Sequence, residues 1–402
     1  MRLFFFIIHL CFIVSAKKHK RKHHLRNDTE PVIDTYLDFR GTVRKQFALE
    51  AAFAVQGRNM ICSPLSVMIP LGKLVLGAKR KSEEELLAAI GLTSHRQVKS
   101  EFERMITNME YLPGVTLDVA SKIYISTEKS VNEHFLSKSR EIFKSSCKKI
   151  SASESVETAR MINEWVASKT RDKINHLISP NDIKDNTSVI LVNAIYFAGN
   201  WKEKFGDAYT DDFHSPTGIR RIPMMTNNGQ YNYWKCDTLN AQIIEIPYEG
   251  DQCAMIVVLP YGDSGLPVLL RALKLAPELF NAALGKLQPT QVLVSMPKFK
   301  IETEFDLNSI YQKIGLRTVF NPGESDLTNI IEDETVHISK AVHKAIIEVN
   351  EKGTEAAAAT GVEFVPVSYV VPNVTFHANR PFVIYVTAFK QQLFSGVFFG
   401  EK

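Results

Sequence analysis

From Thr187 to Phe197 the chain is nearly continuous apolar sequence, the pattern of a central strand buried on both faces, with Asn193 interrupting it. A lone amide in such a strand needs a hydrogen bond, or it costs on the order of 1–3 kcal/mol. Ala241–Tyr248 and Cys253–Pro260 are two further apolar runs, and Glu249-Gly250-Asp251-Gln252 between them predicts a hairpin. Strands are also expected over Val292–Ile301, over Ser339–Asn350, and twice within Val383–Phe399. Helical spacing predicts amphipathic helices at Val32–Ala54, Arg96–Tyr111, Glu157–Ser168 and Phe305–Leu316. Asn59–Cys62 reads as a buried strand running into a helix, with Ser63 as N-cap and Pro64 at its first position. Pro70 falls inside that helix, where it removes a hydrogen bond and should kink the axis. Another helix opens at Lys81 and closes at Gly91.

One stretch breaks these rules. Read with a period of two, Thr354, Ala356, Ala358, Thr360, Val362 and Phe364 share one face. Glu355, Ala357, Ala359, Gly361, Glu363 and Val365 share the other, so both glutamates lie together. That is a half-buried strand pattern, yet it is written in Ala, Gly and Thr, and Ala and Gly are depleted in strands. The segment therefore reads as a loop that would pattern correctly once given a place in a sheet. The competing reading is an Ala-rich helix, marginal at this length with glycine at both ends.

Composition is that of a globular chain: 402 residues, 45% hydrophobic and 23% charged, enough apolar sequence for a large core. The net charge of +4 is mild, which argues against a nucleic-acid binder. Residues 1–16 read as a secretory signal, with an apolar run from Leu3 to Val14 too short to span a bilayer. A flexible basic arm over residues 17–31 follows, then a single domain over 32–402. The dense run Lys17–Arg26 suits a sulphated polysaccharide or another anionic surface, or is a solvated leader or propeptide remnant. Glycosylation sequons begin at Asn27, Asn186 and Asn373. Cys11 leaves with the signal, and Cys62, Cys147, Cys236 and Cys253 remain without metal-like spacing. Cys236 and Cys253 are expected near one another in a sheet, where they either form one bridge or stay buried thiols. Gly262-Asp263-Ser264-Gly265 matches the string around a trypsin-like nucleophile, but no second glycine follows and no upstream histidine has the matching setting. It reads as a turn, and the chain is expected to be no enzyme, with no metal or cofactor.

Val349-Asn350-Glu351-Lys352-Gly353-Thr354-Glu355-Ala356-Ala357-Ala358-Ala359-Thr360 resembles the hinge of a serpin reactive-centre loop, and Phe376-His377-Ala378-Asn379-Arg380-Pro381-Phe382 resembles that family's signature beyond the loop. The resemblance implies an α+β serpin domain: a large central mixed sheet, smaller sheets, about nine helices, and an exposed loop near residues 351–375. Counted from either motif, the family's spacing places the reactive bond at Val367–Ser368, with Phe364, Val365, Pro366 and Tyr369 contacting the protease. Small residues from Gly353 to Thr360 match the inhibitory pattern. Ser63, Ser66, Asn193 and His343 resemble the shutter beneath the sheet, where Asn193 and His343 would clamp two strands. Trp201 resembles the breach tryptophan, and Lys298 would pair with Glu351 at the base of the loop. The implied partner is an extracellular serine protease held covalently, and the implied state is a monomer. A carrier or glycosaminoglycan-retained binding protein is the alternative.

Overall fold

The computed structural model describes residues 57–331, 334–353 and 372–400. The helix expected over 32–54, the basic arm and the segment 354–371 lie outside the described residues. The first third contains β1 (Met60–Cys62), α1 (Pro64–Gly77), α2 (Arg80–Ile90), α3 (His95–Glu110), β2 (Val115–Ser126), α4 (Glu133–Phe143), β3 (Lys148–Ile150) and α5 (Ser155–Lys169). Then come β4 (Val189–Gly199), β5 (Tyr209–Ser215), β6 (Gly218–Cys236), β7 (Ala241–Pro247), β8 (Cys253–Pro260), α6 (Leu266–Leu275) and α7 (Pro277–Leu284). The last part holds β9 (Gln288–Pro297), β10 (Phe299–Asp306), α8 (Leu307–Lys313), β11 (Ile338–Val349), β12 (Val374–His377), β13 (Phe382–Ala388) and β14 (Gln391–Phe398).

Two sheets form. The five-stranded one runs β10-β11-β4-β2-β3; the nine-stranded one runs β1-β14-β13-β8-β7-β6-β9-β12, with β5 added on β6. β4 is buried along its whole length, as its composition requires, and alternate residues enter different cores. Leu191, Ile195 and Phe197 join the larger core, which also contains α1 and the inner strands of the other sheet. Ile190, Val192, Ala194 and Tyr196 meet Ile162 and Val166 of α5 on the opposite face. At the seam that matters below, β4 and β11 are parallel neighbours, with Asn193 opposite His343.

Local signals set several boundaries. The Ser63 hydroxyl caps α1 by accepting from the Ser66 N–H, and Pro64 follows it in the first turn. α1 carries Pro70 within it and runs on to Gly77. α2 stops where Gly91 turns left-handed at φ 74°. Two expectations need correction. The run Val292–Ile301 is not one strand: it divides at Lys298, and β9 and β10 belong to different sheets. The helix expected from Phe305 starts two residues later, because Asp306 caps it by accepting from the Asn308 N–H.

Candidate functional site

β11 leads straight to the base of the proposed loop. Asn350 and Gly353 close a tight reversal: the Asn350 N–H donates to the Gly353 carbonyl (2.9 Å), and the Gly353 N–H returns to the Asn350 carbonyl (3.2 Å). Gly353 holds φ +123°, a conformation that side chains rarely adopt. The reversal is tied to the end of β4 by three bonds. The Trp201 N–H donates to the Lys352 carbonyl at 3.1 Å, and the Phe205 N–H to the Glu351 carbonyl at 2.9 Å. The Trp201 indole Nε1–H donates to the Asn350 carbonyl at 2.8 Å. Its ring is buried and stacked on Tyr248, with centroids 4.4 Å apart and planes within 10°. On the outer side the Lys298 ammonium sits 3.0 and 3.1 Å from the two Glu351 oxygens. Burial works to raise the Glu351 pKa, but its own backbone N–H and Lys298 outweigh this and hold it below the usual carboxylate range.

The chain re-enters the described structure as β12, parallel to β9 in the other sheet. Asn373, exposed, donates its N–H to the Gln291 carbonyl at 3.1 Å. His377 then faces the Asp211 carboxylate at 3.0 Å, and Arg380 donates from Nε to the Pro260 carbonyl at 2.7 Å. The two ends of the segment are therefore anchored in different sheets. Thr354, Glu355, Ala356, Ala357, Ala358, Ala359 and Thr360, and the expected protease-facing residues Phe364, Val365, Pro366, Val367, Ser368 and Tyr369, lie outside the described residues, as does Asn27.

Beneath the β4–β11 seam, Ser63, Ser66, Asn193 and His343 are all fully buried. The Ser63 N–H donates to His343 Nε2 at 3.1 Å, which makes Nε2 the acceptor and puts the imidazole proton on Nδ1. The Ser66 hydroxyl donates to the Ser63 carbonyl at 3.3 Å. Burial pushes the His343 pKa down to about 3, against the opposing pull of the Asn193 backbone. Asn193 and His343 are register partners, but the His343 Nε2 bond goes to the α1 cap, and both polar atoms of the Asn193 amide lack a hydrogen-bond partner among the described residues. Nε2 takes the Ser63 N–H while the ring also meets the Asn193 backbone, so His343 joins the start of α1 to both strands of the seam.

Elsewhere, Asn186 occupies an exposed turn. Gly262-Asp263-Ser264-Gly265 forms the turn before α6, where Asp263 pairs with His214 at 3.0 Å on the surface. Cys62, Cys147, Cys236 and Cys253 are free thiols. Tyr248 and Phe205 complete the aromatic cluster around Trp201. Nothing in the sequence marks Phe205 for that place; Tyr248 is visible only as the last residue of an apolar run.

Residues 34–400 match the family model for Serpin (serine protease inhibitor). The chain is 37% identical over 346 residues to Antichymotrypsin-2 of Bombyx mori, a match covering 85% of this chain and 92% of the relative. It is 36% identical over 347 residues to Antitrypsin of the same organism, covering 85% and 88%. Among solved structures it is similar to Serpin48 of Tenebrio molitor, described as a highly specific serpin, with TM-score 0.80 and 27% identity over 90% of this chain and 97% of that one. The chain belongs to the serpin family, with the α+β serpin fold.

Proposed function

We propose that this serpin is a secreted suicide inhibitor of serine proteases, cleaved at Val367–Ser368 and trapping the acylated enzyme by loop insertion. The observation that carries this reading is the parallel seam between β4 and β11, with β11 running directly into the hinge at Gly353. A strand that reverses at residues 350–353 and returns between these two would be antiparallel to both. One parallel seam would become two antiparallel ones, and antiparallel pairing is slightly the more stable per residue. About a dozen inserted residues, each worth ~1 kcal/mol net, release on the order of 10 kcal/mol. That is as large as a whole domain's stability. Loop insertion in serpins is itself the familiar instance of strand addition driven by stored strain. The inward face of the entering strand, Thr354, Ala356, Ala358 and Thr360, asks the core to bury nothing large or charged.

Val367 behind Pro366 suits the shallow apolar pocket of an elastase-like enzyme. Docking two residues later would offer Tyr369 to a chymotrypsin-like one. No Arg or Lys stands between Gly353 and Asn379, so trypsin-like targets are disfavoured. Incubation with elastase-like and chymotrypsin-like proteases should yield an SDS-stable adduct and a released peptide beginning at Ser368 by mass spectrometry. Clean clipping without an adduct would instead mark a carrier. A peptide beginning elsewhere would move the reactive bond.

A further inference from the structure

An open cavity of about 620 Å³ lies well away from the hinge, bordered by α1, α3, β2, α4 and α5. Its size is that of a small-molecule site. The floor is apolar, made by Ile69, Ile106, Leu117, Val119 and Phe143. The rim is cationic: Lys122, Arg140, Lys144 and Lys169 line it, with Glu110 the single carboxylate among the lining residues. Neighbouring carboxylates are already engaged. Glu141 is held by Lys99 and Lys138, Glu164 by Arg160, and Glu133 stands 3.8 Å from Arg140.

Around Lys122 and Lys73, positive charge is pressed together with no carboxylate among the groups acting on either lysine. The Lys122 ammonium lies 4.0 Å from the centroid of the Trp165 ring, which also lines the cavity. Burial, then the like charges of Lys148 and Lys169, bring Lys122 down to about 8. Behind the wall, the fully buried Lys73 donates to the Ser121 carbonyl at 2.9 Å, and no carboxylate is among the charged groups acting on it. The Ser145 hydroxyl donates to the same carbonyl at 3.0 Å. Ser121 itself, 7% exposed and lining the cavity, has a hydroxyl with no hydrogen-bond partner among the described residues.

We infer that this cavity binds a small amphipathic anion of the fatty-acid type, with its headgroup at Lys122 and Lys169 and its chain on the apolar floor. The anion supplies counter-charge to Lys122, on which only the like charges of Lys148 and Lys169 act. Charge complementarity makes it the occupant, because a cation or a neutral chain would gain only the floor.

Calorimetric titration of the full-length protein with dodecanoate, below its micellar range, tests this directly. Saturable one-to-one binding is expected, at least tenfold tighter than dodecyltrimethylammonium, whose chain is the same and whose charge is reversed. The double variant Lys122→Gln/Lys169→Gln, with an unchanged melting temperature, should weaken dodecanoate binding at least tenfold, and Leu117→Asp should abolish it. Equal binding of both surfactants, or no saturable binding by wild type, would overturn the inference without needing any variant. Co-sedimentation with phosphatidylglycerol vesicles separates a free acid from a lipid surface. Pelleting that outcompetes dodecanoate would assign the rim to membranes and overturn the free-acid assignment. Because the reading concerns a face remote from the hinge, its outcome is independent of whether proteases are trapped.

Discussion

Gly353 packs so closely on Gly199 that a Cβ at position 353 would stand 2.0 Å from the Gly199 carbonyl oxygen and 2.4 Å from the Asn200 Cα. Both obstacles are backbone, so neither can swing aside. The residue also holds φ +123°. Gly353→Ala should therefore push the reversal off the end of β4 and cost at least about 1–3 kcal/mol in backbone strain alone. The expected result is a lower thermal midpoint, together with a changed ratio of protease adduct to clipped inhibitor. A variant that melts with wild type would mean the reversal at 350–353 is looser than its bonds imply.

Trp201 joins the same reversal through its indole N–H. Trp201→Phe keeps an aromatic ring beside Tyr248 but leaves the Asn350 carbonyl without that donor. The loss should be about 1–2 kcal/mol, read as a lower urea midpoint at unchanged slope. Trp234→Phe is the control, because Trp234 is only half-buried on β6 and meets Lys286 at 5.7 Å. Its midpoint should stay close to that of wild type.

Much of this architecture could be read from the residues because local and global preferences agree there. Ser63 and Pro64 start α1, Gly91 ends α2, and the run through Val189–Gly199 could only be a strand covered on both faces. The polar hairpin of β5 and β6 left no such mark. Sequences such as Thr210-Asp211-Asp212 and Ile219-Arg220-Arg221 face solvent widely and show no clean alternation. The division at Lys298 was equally hidden, since apolar residues continue on both sides while the chain changes sheet. Nor does sequence reveal that Lys73 is fully buried, because a lysine on a helix ordinarily reaches water. At the seam, Asn193 and His343 are register partners, but the bond that the imidazole accepts from the Ser63 backbone N–H has no sequence signature.

The Lys298–Glu351 pair should make the hinge slightly acid-sensitive. The folded pKa of Glu351 is depressed, so its contribution is present above the usual carboxylate value and is lost as pH falls through the folded value. Lys298 is the more exposed partner, which screens the pair and limits its worth to no more than about 1 kcal/mol. Glu351→Gln should therefore unfold in less urea than wild type at pH 7, with the gap narrowing as pH falls below the usual carboxylate range. A gap that does not change with pH would assign the loss to packing instead of charge.

His343 predicts a larger and earlier effect. Its folded pKa is lowered to about 3, so protons bind the unfolded chain first as pH falls below the ordinary histidine value near 6.5. Stability from the neutral imidazole is thus complete above about pH 6.5 and declines toward pH 3, by up to ~1.4 kcal/mol for each pH unit. The mechanism is specific, since protonation would both charge a fully buried ring and remove the Nε2 lone pair that accepts from Ser63. The cap of α1 and the β4–β11 seam meet at that ring, so acid should loosen the seam through which the loop is proposed to enter. His343→Gln keeps an acceptor for the Ser63 N–H but cannot take up a proton in this range. Urea midpoints measured from pH 7.5 to 4.5 should fall more steeply for wild type than for the variant, and the two curves should converge toward acid. Parallel curves over that interval would show that His343 titrates alike in the folded and unfolded chain, and the buried neutral imidazole would have to be abandoned.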